Sequence, residues 1–210
     1  MVADTDGDLP LHDACANKAE VRVVTALLKA YSAGASTANK NGQLPLHYAV
    51  SNGAGLEVVS ALLQTYPDAA KVADKEGQLP LHWAAINGTE LEVVAALLDE
   101  HPDAAEVADE DGNLPLHLAS VKQQANVQVI FALVQANPAA ALTANKGGNT
   151  PFQLWVAHAK NSSLDSRLEI SRLLIPPDID KSAIKSELSE ICGKKFEEFD
   201  SANEGVLQPA

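Results

Sequence analysis

The sequence predicts an all-α solenoid, a stack of similar helix-turn-helix units that a C-terminal helical cap closes. Three observations predict it. The string Leu-Pro-Leu-His occurs four times at intervals of 35 residues, a weaker copy follows 36 residues after the fourth, and an amphipathic helical pattern follows each copy. A fixed period of this length is typical of supersecondary units that bury their apolar faces only against neighbouring units.

The proline of each repeated string marks the start of a first helix. The five strings are Leu9–His12, Leu44–His47, Leu79–His82, Leu114–His117 and Thr150–Gln153. Proline suits the first turn of a helix because the amide hydrogen that it lacks would have no intrahelical partner. In the third unit we expect this helix to run from Pro80 to Ile86 and to end at Asn87-Gly88.

A polar loop precedes each first helix, and a second helix follows it. In the third unit the loop 74–78 contains Gly77, which suits a tight turn with positive φ. The second helix is predicted over 90–98 because its apolar residues recur at helical spacing. Pro102 is expected to end that segment and to lead into the next loop. The same plan predicts five units, at about 3–37, 38–72, 73–107, 108–143 and 144–176.

This plan resembles the ankyrin repeat. The family pattern is Asp-x-x-Gly-x-Thr-Pro-Leu-His-x-Ala, followed by Glu-Val-Val-x-x-Leu-Leu. The third unit has Asp74-x-x-Gly77-x-Leu79-Pro80-Leu81-His82-x-Ala84 and then Glu92-Val93-Val94-x-x-Leu97-Leu98. Leucine replaces the family's threonine in four copies, and the period is 35 residues instead of 33. We place the added residues in loops, near Ala54-Gly55 and around Tyr66-Pro67-Asp68, where the stacking should survive them.

The two ends of the array differ from its middle. The residue after the repeat histidine is Tyr48, Trp83 or Leu118 in the middle units but Asp13 in the first. The resemblance implies that this site packs against the preceding unit, so a polar residue there predicts that the array starts near residue 3. In the fifth unit Trp155 replaces a small alanine, which indicates a C-terminal cap.

A distinct tail follows Pro176-Pro177. Ile184, Leu188 and Ile191 recur at helical spacing and predict an amphipathic helix within residues 177–200, and residues 201–210 are predicted to be disordered. Such a helix either lies over the last unit or docks onto a partner.

The four repeated histidines are not expected to bind a metal. Equivalent positions in adjacent units lie about 8–10 Å apart, whereas ligand atoms lie about 2 Å from a metal ion. The resemblance implies instead that each histidine forms a hydrogen bond with the backbone of a neighbouring loop. These histidines are His12, His47, His82 and His117.

No catalytic pattern is present in the sequence. It has no glycine-rich phosphate loop, no Ser/His/Asp order with a structural context and no His-Glu-x-x-His. We therefore expect a protein that is not an enzyme and that needs no cofactor.

The net charge of −13 disfavours nucleic acids and anionic membranes as partners. The two cysteines have no metal spacing, and there is no signal peptide or long apolar stretch, so we expect an intracellular, cytoplasmic monomer that is not inserted in a membrane.

The resemblance implies protein binding through a concave surface lined by loop tips and the exposed ends of the first helices. Tips of the first and fourth units are acidic, which favours a partly basic protein or peptide as the partner. Trp83 and Tyr48 lie beside this surface, either as anchors or buried between units. The candidate partner-binding residues are Asp6, Asp8, Lys40, Asn41, Gln43, Asn52, Lys75, Glu76, Gln78, Trp83, Ile86, Asn87, Glu110, Asp111 and Asn113.

The leading hypothesis is thus an adaptor or scaffold that acts through a concave acidic surface. Two alternatives remain open from the sequence. One is a regulatory or inhibitory subunit of an enzyme that docks through the C-terminal helix. The other is the ankyrin part of a larger enzyme or membrane protein.

Overall fold

A computed structural model describes residues 2–121, 126–158 and 163–175 of the chain. These residues form ten α-helices in five consecutive pairs and contain no β-strand. The helices are α1 (Pro10–Ala16), α2 (Val21–Ala30), α3 (Pro45–Ser51), α4 (Leu56–Thr65), α5 (Pro80–Asn87), α6 (Leu91–Glu100), α7 (Pro115–Ser120), α8 (Val127–Ala136), α9 (Pro151–His158) and α10 (Leu164–Leu174). We call each helix pair with its preceding loop a unit.

The units stack in chain order and form two layers of helices. The first helices α1, α3, α5, α7 and α9 contact one another in sequence, and the second helices do the same in the other layer. The core lies between these layers and between successive units, where leucines of the repeated string meet valines and leucines of the second helices. Leu81, Val94 and Leu97 are buried examples from the third unit. The predicted helical solenoid is therefore confirmed.

The helix boundaries follow the local signals in the sequence. Leu79 has an extended backbone before Pro80 opens α5, and Gly88 ends α5 in the left-handed conformation with φ 61°. The helix is one residue longer than the prediction, which ended it at Ile86. The second helix, Leu91–Glu100, continues two residues beyond the predicted Leu98.

Short 3₁₀ helices follow the second helices of the first four units, and they are not among the elements predicted from the sequence. They are Ser32–Ser36, Pro67–Lys71, Pro102–Glu106 and Pro138–Leu142. Pro102 begins such a helix instead of leading directly into a loop, because its fixed φ and missing donor suit the first turn of a 3₁₀ helix as well. The segment buries Ala104 and Ala105 and so contributes to the core. The sequence-based alignment placed an added residue around Tyr66-Pro67-Asp68, and the equivalent 3₁₀ helix of the second unit begins at Pro67.

The tail predictions for residues 177–200 and 201–210 concern parts of the chain that lie outside the described residues. Within the described ranges, no helix has both the length and the apolar character that crossing a membrane requires.

Candidate functional site

An Asp or Asn side chain at the start of each loop fixes the loop's shape. In the third unit Asp74 Oδ1 accepts hydrogen bonds from the amides of Glu76 and Gln78, at 3.0 and 2.9 Å. Such side-chain turns organise a loop locally. The residues in the same role elsewhere are Asp4, Asn39, Asp109 and Asn145. Asn39, Asp74 and Asp109 are buried.

The tip of each loop is bonded to the tip of the next. The Lys75 amide donates to the Asn41 carbonyl at 2.9 Å, and the Glu110 amide donates to the Glu76 carbonyl at 2.9 Å. The other two bonds of this kind join Lys40 to Asp6 and Lys146 to Asp111. We call residues 5–8, 40–43, 75–78, 110–113 and 146–149, with the exposed ends of the first helices, the tip surface. Hydrogen bonds between backbone groups thus connect the five loops of this surface in sequence.

Glycine makes this close approach possible. Gly77 has φ 76°, and a Cβ atom added there would lie 3.1 Å from the Glu110 amide nitrogen. A side chain would therefore strain the turn and also press on the neighbouring loop.

The structure places the fifteen candidate residues at two depths. Those half-buried are Asp8, Gln43, Asn52, Gln78, Trp83, Ile86, Asn87 and Asn113. Those exposed are Asp6, Lys40, Asn41, Lys75, Glu76, Glu110 and Asp111. Four of the exposed side chains are carboxylates and two are lysines, so the tips carry both signs of charge.

The two aromatic side chains are neither free nor fully buried. Trp83 Nε1 donates to Asp74 Oδ2 at 3.1 Å. The Tyr48 hydroxyl donates to Asp8 Oδ2 at 3.1 Å and accepts from Asn39 Nδ2 at 3.1 Å. Both rings pack against the core on one side. Each ring is thus held in one orientation at the margin of the tip surface. Its half-buried state lies between the two alternatives from the sequence, an exposed anchor and a ring buried between units.

Several half-buried candidates form hydrogen bonds within the chain. The side chains of Asn52 and Asn87 each donate to the first-helix carbonyl four residues earlier, both at 2.9 Å. Gln78 Nε2 lies 3.4 Å from Asp109 Oδ2, and Asn113 Oδ1 accepts from the next loop at 2.7 Å. These amides therefore hold the surface in shape, whatever contacts they also make with a partner.

The repeated histidine of the third unit connects its own helix to the next unit. His82 Nδ1 accepts from the Leu79 amide at 3.1 Å, and Nε2 lies 3.2 Å from the Asn113 carbonyl oxygen. Because Nδ1 accepts, Nε2 carries the proton and donates, so the ring is neutral. His12 forms the same pair of bonds, with Nε2 3.1 Å from the Gln43 carbonyl oxygen. His117 keeps the bond at Nδ1, but its Nε2 lies 3.0 Å from the carbonyl oxygen of Thr143, directly after the 3₁₀ helix that follows α8. The predicted backbone role is confirmed for these three.

Burial lowers the pKa of all four histidines, although nearby backbone carbonyls and aspartates partly oppose the shift. His47 keeps the bond at Nδ1, from the Leu44 amide at 3.0 Å, but its Nε2 has no hydrogen-bond partner among the described residues, so the predicted bond to a neighbouring loop is absent there. Within the described ranges, no group of histidine, cysteine, aspartate and glutamate is arranged to hold a metal ion.

A comparison with protein-family models decides the family. The model for ankyrin repeats matches residues 1–72, 55–144 and 81–185 in three overlapping copies, which together span most of the chain. The chain belongs to the ankyrin repeat family. A comparison with curated proteins finds no match. Ankyrin repeats are generally protein–protein interaction modules, so binding to another protein is the activity that the family supports.

The residues that organise the tip surface of this ankyrin repeat protein were not predicted from the sequence. The Asp or Asn that opens each loop recurs with the period of the repeat, so its structural role could have been inferred from that recurrence. Lys146 is not among the fifteen candidates, yet its Nζ donates to the Glu110 carbonyl and so covers part of the acidic fourth tip.

Proposed function

We propose that this ankyrin repeat protein is an adaptor or scaffold that binds a partly basic peptide or protein segment on its tip surface. The observation that carries the proposal is a set of exposed carboxylates on loops whose backbones are bonded together. These carboxylates belong to Asp6, Glu76, Glu110 and Asp111.

Rigid tips favour binding because little conformational entropy is lost when a partner docks. Association is costly when loops must be ordered at the interface, and a surface organised in advance avoids much of that cost. Here the Asp74-type turns and the amide–carbonyl bonds between tips fix the backbone before any partner arrives.

The presence of both signs of charge along the tips supports selectivity for a partner of mixed charge. Lys40 and Lys75 stand between the acidic tip of the first unit and that of the fourth. A uniformly basic partner would meet like charge at these lysines, and such a mismatch weakens binding. A partner with basic groups opposite Asp6 and the pair Glu110-Asp111 satisfies the pattern best.

Trp83 is the best placed aromatic contact for such a partner. Its indole is fixed by the bond to Asp74 and is half-buried, so its exposed part offers apolar area without rotamer freedom to lose. Fixed tryptophans are common among the residues that dominate binding energy.

The proposal is tested by affinity capture from the source cell, followed by titration of the captured partner. The wild type is compared with a tip variant that carries Glu76→Lys, Asp111→Lys and Ile86→Glu, at low and at moderate salt. We expect the wild type to retain a partner that the tip variant loses, and we expect salt to weaken its binding because exposed charges are screened.

A matched variant on the opposite layer controls for net charge. Glu57→Lys, Glu92→Lys and Ala26→Glu change the charge equally, at exposed positions of the second helices. This variant should keep the partner. Retention by the tip variant would contradict the proposal, and equal loss from both variants would attribute binding to net charge alone.

A further inference from the structure

The layer of second helices contains an apolar groove. None of the residues of the tip surface lines it. The groove has a volume of about 780 Å³ and runs along α8, with α6 on one side and α10 on the other. Its apolar lining includes Leu91, Leu98, Val127, Phe131 and Leu173. The four residues other than Phe131 are each half-buried, so they offer apolar area that the array itself leaves uncovered.

Phe131 is the unusual residue of this groove. Its side chain is 50% exposed. The equivalent positions in the second helices of the first three units are Thr25, Ser60 and Ala95. Stacking therefore does not require a large side chain there, and exposure of an aromatic ring to water is unfavourable. An exposed phenylalanine in an apolar groove is typical of a binding site.

We propose that residues 180–192 of the same chain dock in this groove as an amphipathic helix. The sequence of this segment places Ile184, Leu188, Ile191 and Cys192 at helical spacing, which gives one apolar stripe. A short amphipathic helix of this kind is stable only when its stripe is covered. The stripe would lie against Phe131 and its neighbours in the groove.

Connection to α10 favours this segment over a separate chain. The described residues end at Ile175, directly after α10, which is one wall of the groove. The linker 176–179 spans up to about 13 Å when extended, and packed helices lie only about 8–10 Å apart. A tethered segment acts at an effective concentration near the millimolar range. Thirteen helical residues measure about 20 Å, which exceeds the length of the ten-residue α8.

Charge at the rim is compatible with this occupant. Asp99 and Glu169 lie on opposite sides of the groove, and Lys181 and Lys185 flank Ile184 in the segment. Exposed pairs of this kind contribute little to affinity, so they orient the helix while the apolar stripe provides the driving force.

Cys192 provides a native reporter for the test in the full-length chain. The other cysteine, Cys15, is buried, and burial raises its pKa to about 12, so a thiol reagent modifies Cys192 selectively. We expect Cys192 to react more slowly in the folded wild type than in a synthetic peptide of residues 178–200. Phe131→Ser should accelerate the reaction by about tenfold, because it removes one large apolar contact.

The substitution carries its own folding control. Serine occupies the equivalent position 60, so Phe131→Ser should leave the thermal unfolding midpoint nearly unchanged. Leu142→Ser removes another exposed apolar side chain, on a 3₁₀ helix that does not line the groove, and should leave Cys192 as slow as in the wild type. Leu188→Ser should accelerate the reaction of Cys192 as much as Phe131→Ser does, since it removes an apolar side chain from the other side of the same contact.

Three outcomes would overturn the proposal. Cys192 that reacts as fast in the wild type as in the peptide means that the segment is not docked. Slow reaction in both the wild type and Phe131→Ser means that it docks elsewhere. Protection that increases with protein concentration assigns the groove to a second copy of the chain.

Discussion

The third and fifth units share a loop conformation but differ in what lies beyond it. Gly77 and Gly148 both have φ 76°, yet a Cβ atom on Gly77 would contact the next loop at 3.1 Å, whereas one on Gly148 would meet no atom of the described residues within 4 Å. The loop shape is therefore encoded locally, by the glycine and the side-chain turn. Close approach between units is a separate requirement, which among the described residues applies to Gly77 and not to Gly148.

The first turns of helices α5 and α9 also differ between a local contact and a contact with the next unit. His82 Nδ1 accepts the Leu79 amide in the third unit, and Gln153 Oε1 accepts the Thr150 amide at 2.9 Å in the fifth. The glutamine keeps the local cap but is exposed. The buried histidine adds a bond to the next unit through its second nitrogen. At position 82 the histidine is thus needed for the connection between units and not for the start of the helix.

The largest predicted effect follows from truncation of the fifth unit's core. Trp155 is 1% exposed and occupies the position of Ala49, Ala84 and Ala119 in the other units. We expect Trp155→Ala to lower the free energy of unfolding by about 3–5 kcal/mol, because a large cavity would form. Urea unfolding followed by circular dichroism measures this loss.

Trp155→Phe is the matched control for that experiment. The indole Nε1 has no hydrogen-bond acceptor among the described residues, so phenylalanine removes a buried donor while it keeps most of the packing. The expected loss is below about 1.5 kcal/mol. If both variants lost the same amount, the indole nitrogen and not the ring volume would be decisive.

Alanine at the two glycines should separate strain within the turn from contact between units. Gly148→Ala should lower the free energy of unfolding by about 1 kcal/mol, the cost of a side chain at positive φ. Gly77→Ala should cost about 1 kcal/mol more, because its Cβ also presses on the Glu110 amide. Equal losses in chemical unfolding would show that the interface adjusts freely.

The histidines should make the array sensitive to acid. Burial lowers the pKa of His82 in the folded state, and the Asn113 carbonyl only partly opposes this. Below the ordinary value of about 6.5 the unfolded chain therefore binds the proton first, and stability falls with pH. We expect unfolding midpoints to drop between about pH 7.5 and pH 5.5.

His82→Gln identifies the contribution of one ring. Glutamine retains the acceptor for the Leu79 amide, as Gln153 does for Thr150, but does not titrate. The acid-induced loss of stability should shrink by up to about 1.4 kcal/mol at one pH unit below 6.5. An unchanged loss would mean that other groups cause the acid sensitivity.

The smallest predicted effect concerns the hydrogen bond between the Gln153 side chain and the Thr150 amide at the start of α9. Gln153→Ala removes the acceptor of one exposed amide, and water can replace it. We expect a loss of about 0.5–1 kcal/mol in thermal or chemical unfolding. His82→Ala should cost more, since it leaves both a buried amide and a carbonyl of the next unit without partners.

The sequence predicted most of the fold because its signals act over short distances. Proline, glycine and the spacing of apolar residues determine where helices such as α5 and α6 begin and end. The 3₁₀ helices were missed because a proline after a helix indicates an ending as readily as a new short turn. The full burial of Trp155 depends on how α9 and α10 pack, which periodicity does not contain.

The candidate site was predictable in position but not in detail. The resemblance indicated which loops form the surface, and the structure shows exposed side chains there. That Asp8 is bound to Tyr48 and Asn39 depends on contacts between units, which no local pattern encodes. The groove around Phe131 was also missed, although an aromatic residue in place of Thr25, Ser60 and Ala95 was a visible signal.

The amide–carbonyl bonds between tips have a consequence for how such a protein grows. Each interior loop presents one donor to the unit before it and one acceptor to the unit after it, always from matching positions. A duplicated unit inserted between two others would therefore find both of its partners in place. The chain can lengthen by whole copies without redesigning any junction, while the exposed residues of each new tip remain free to diverge.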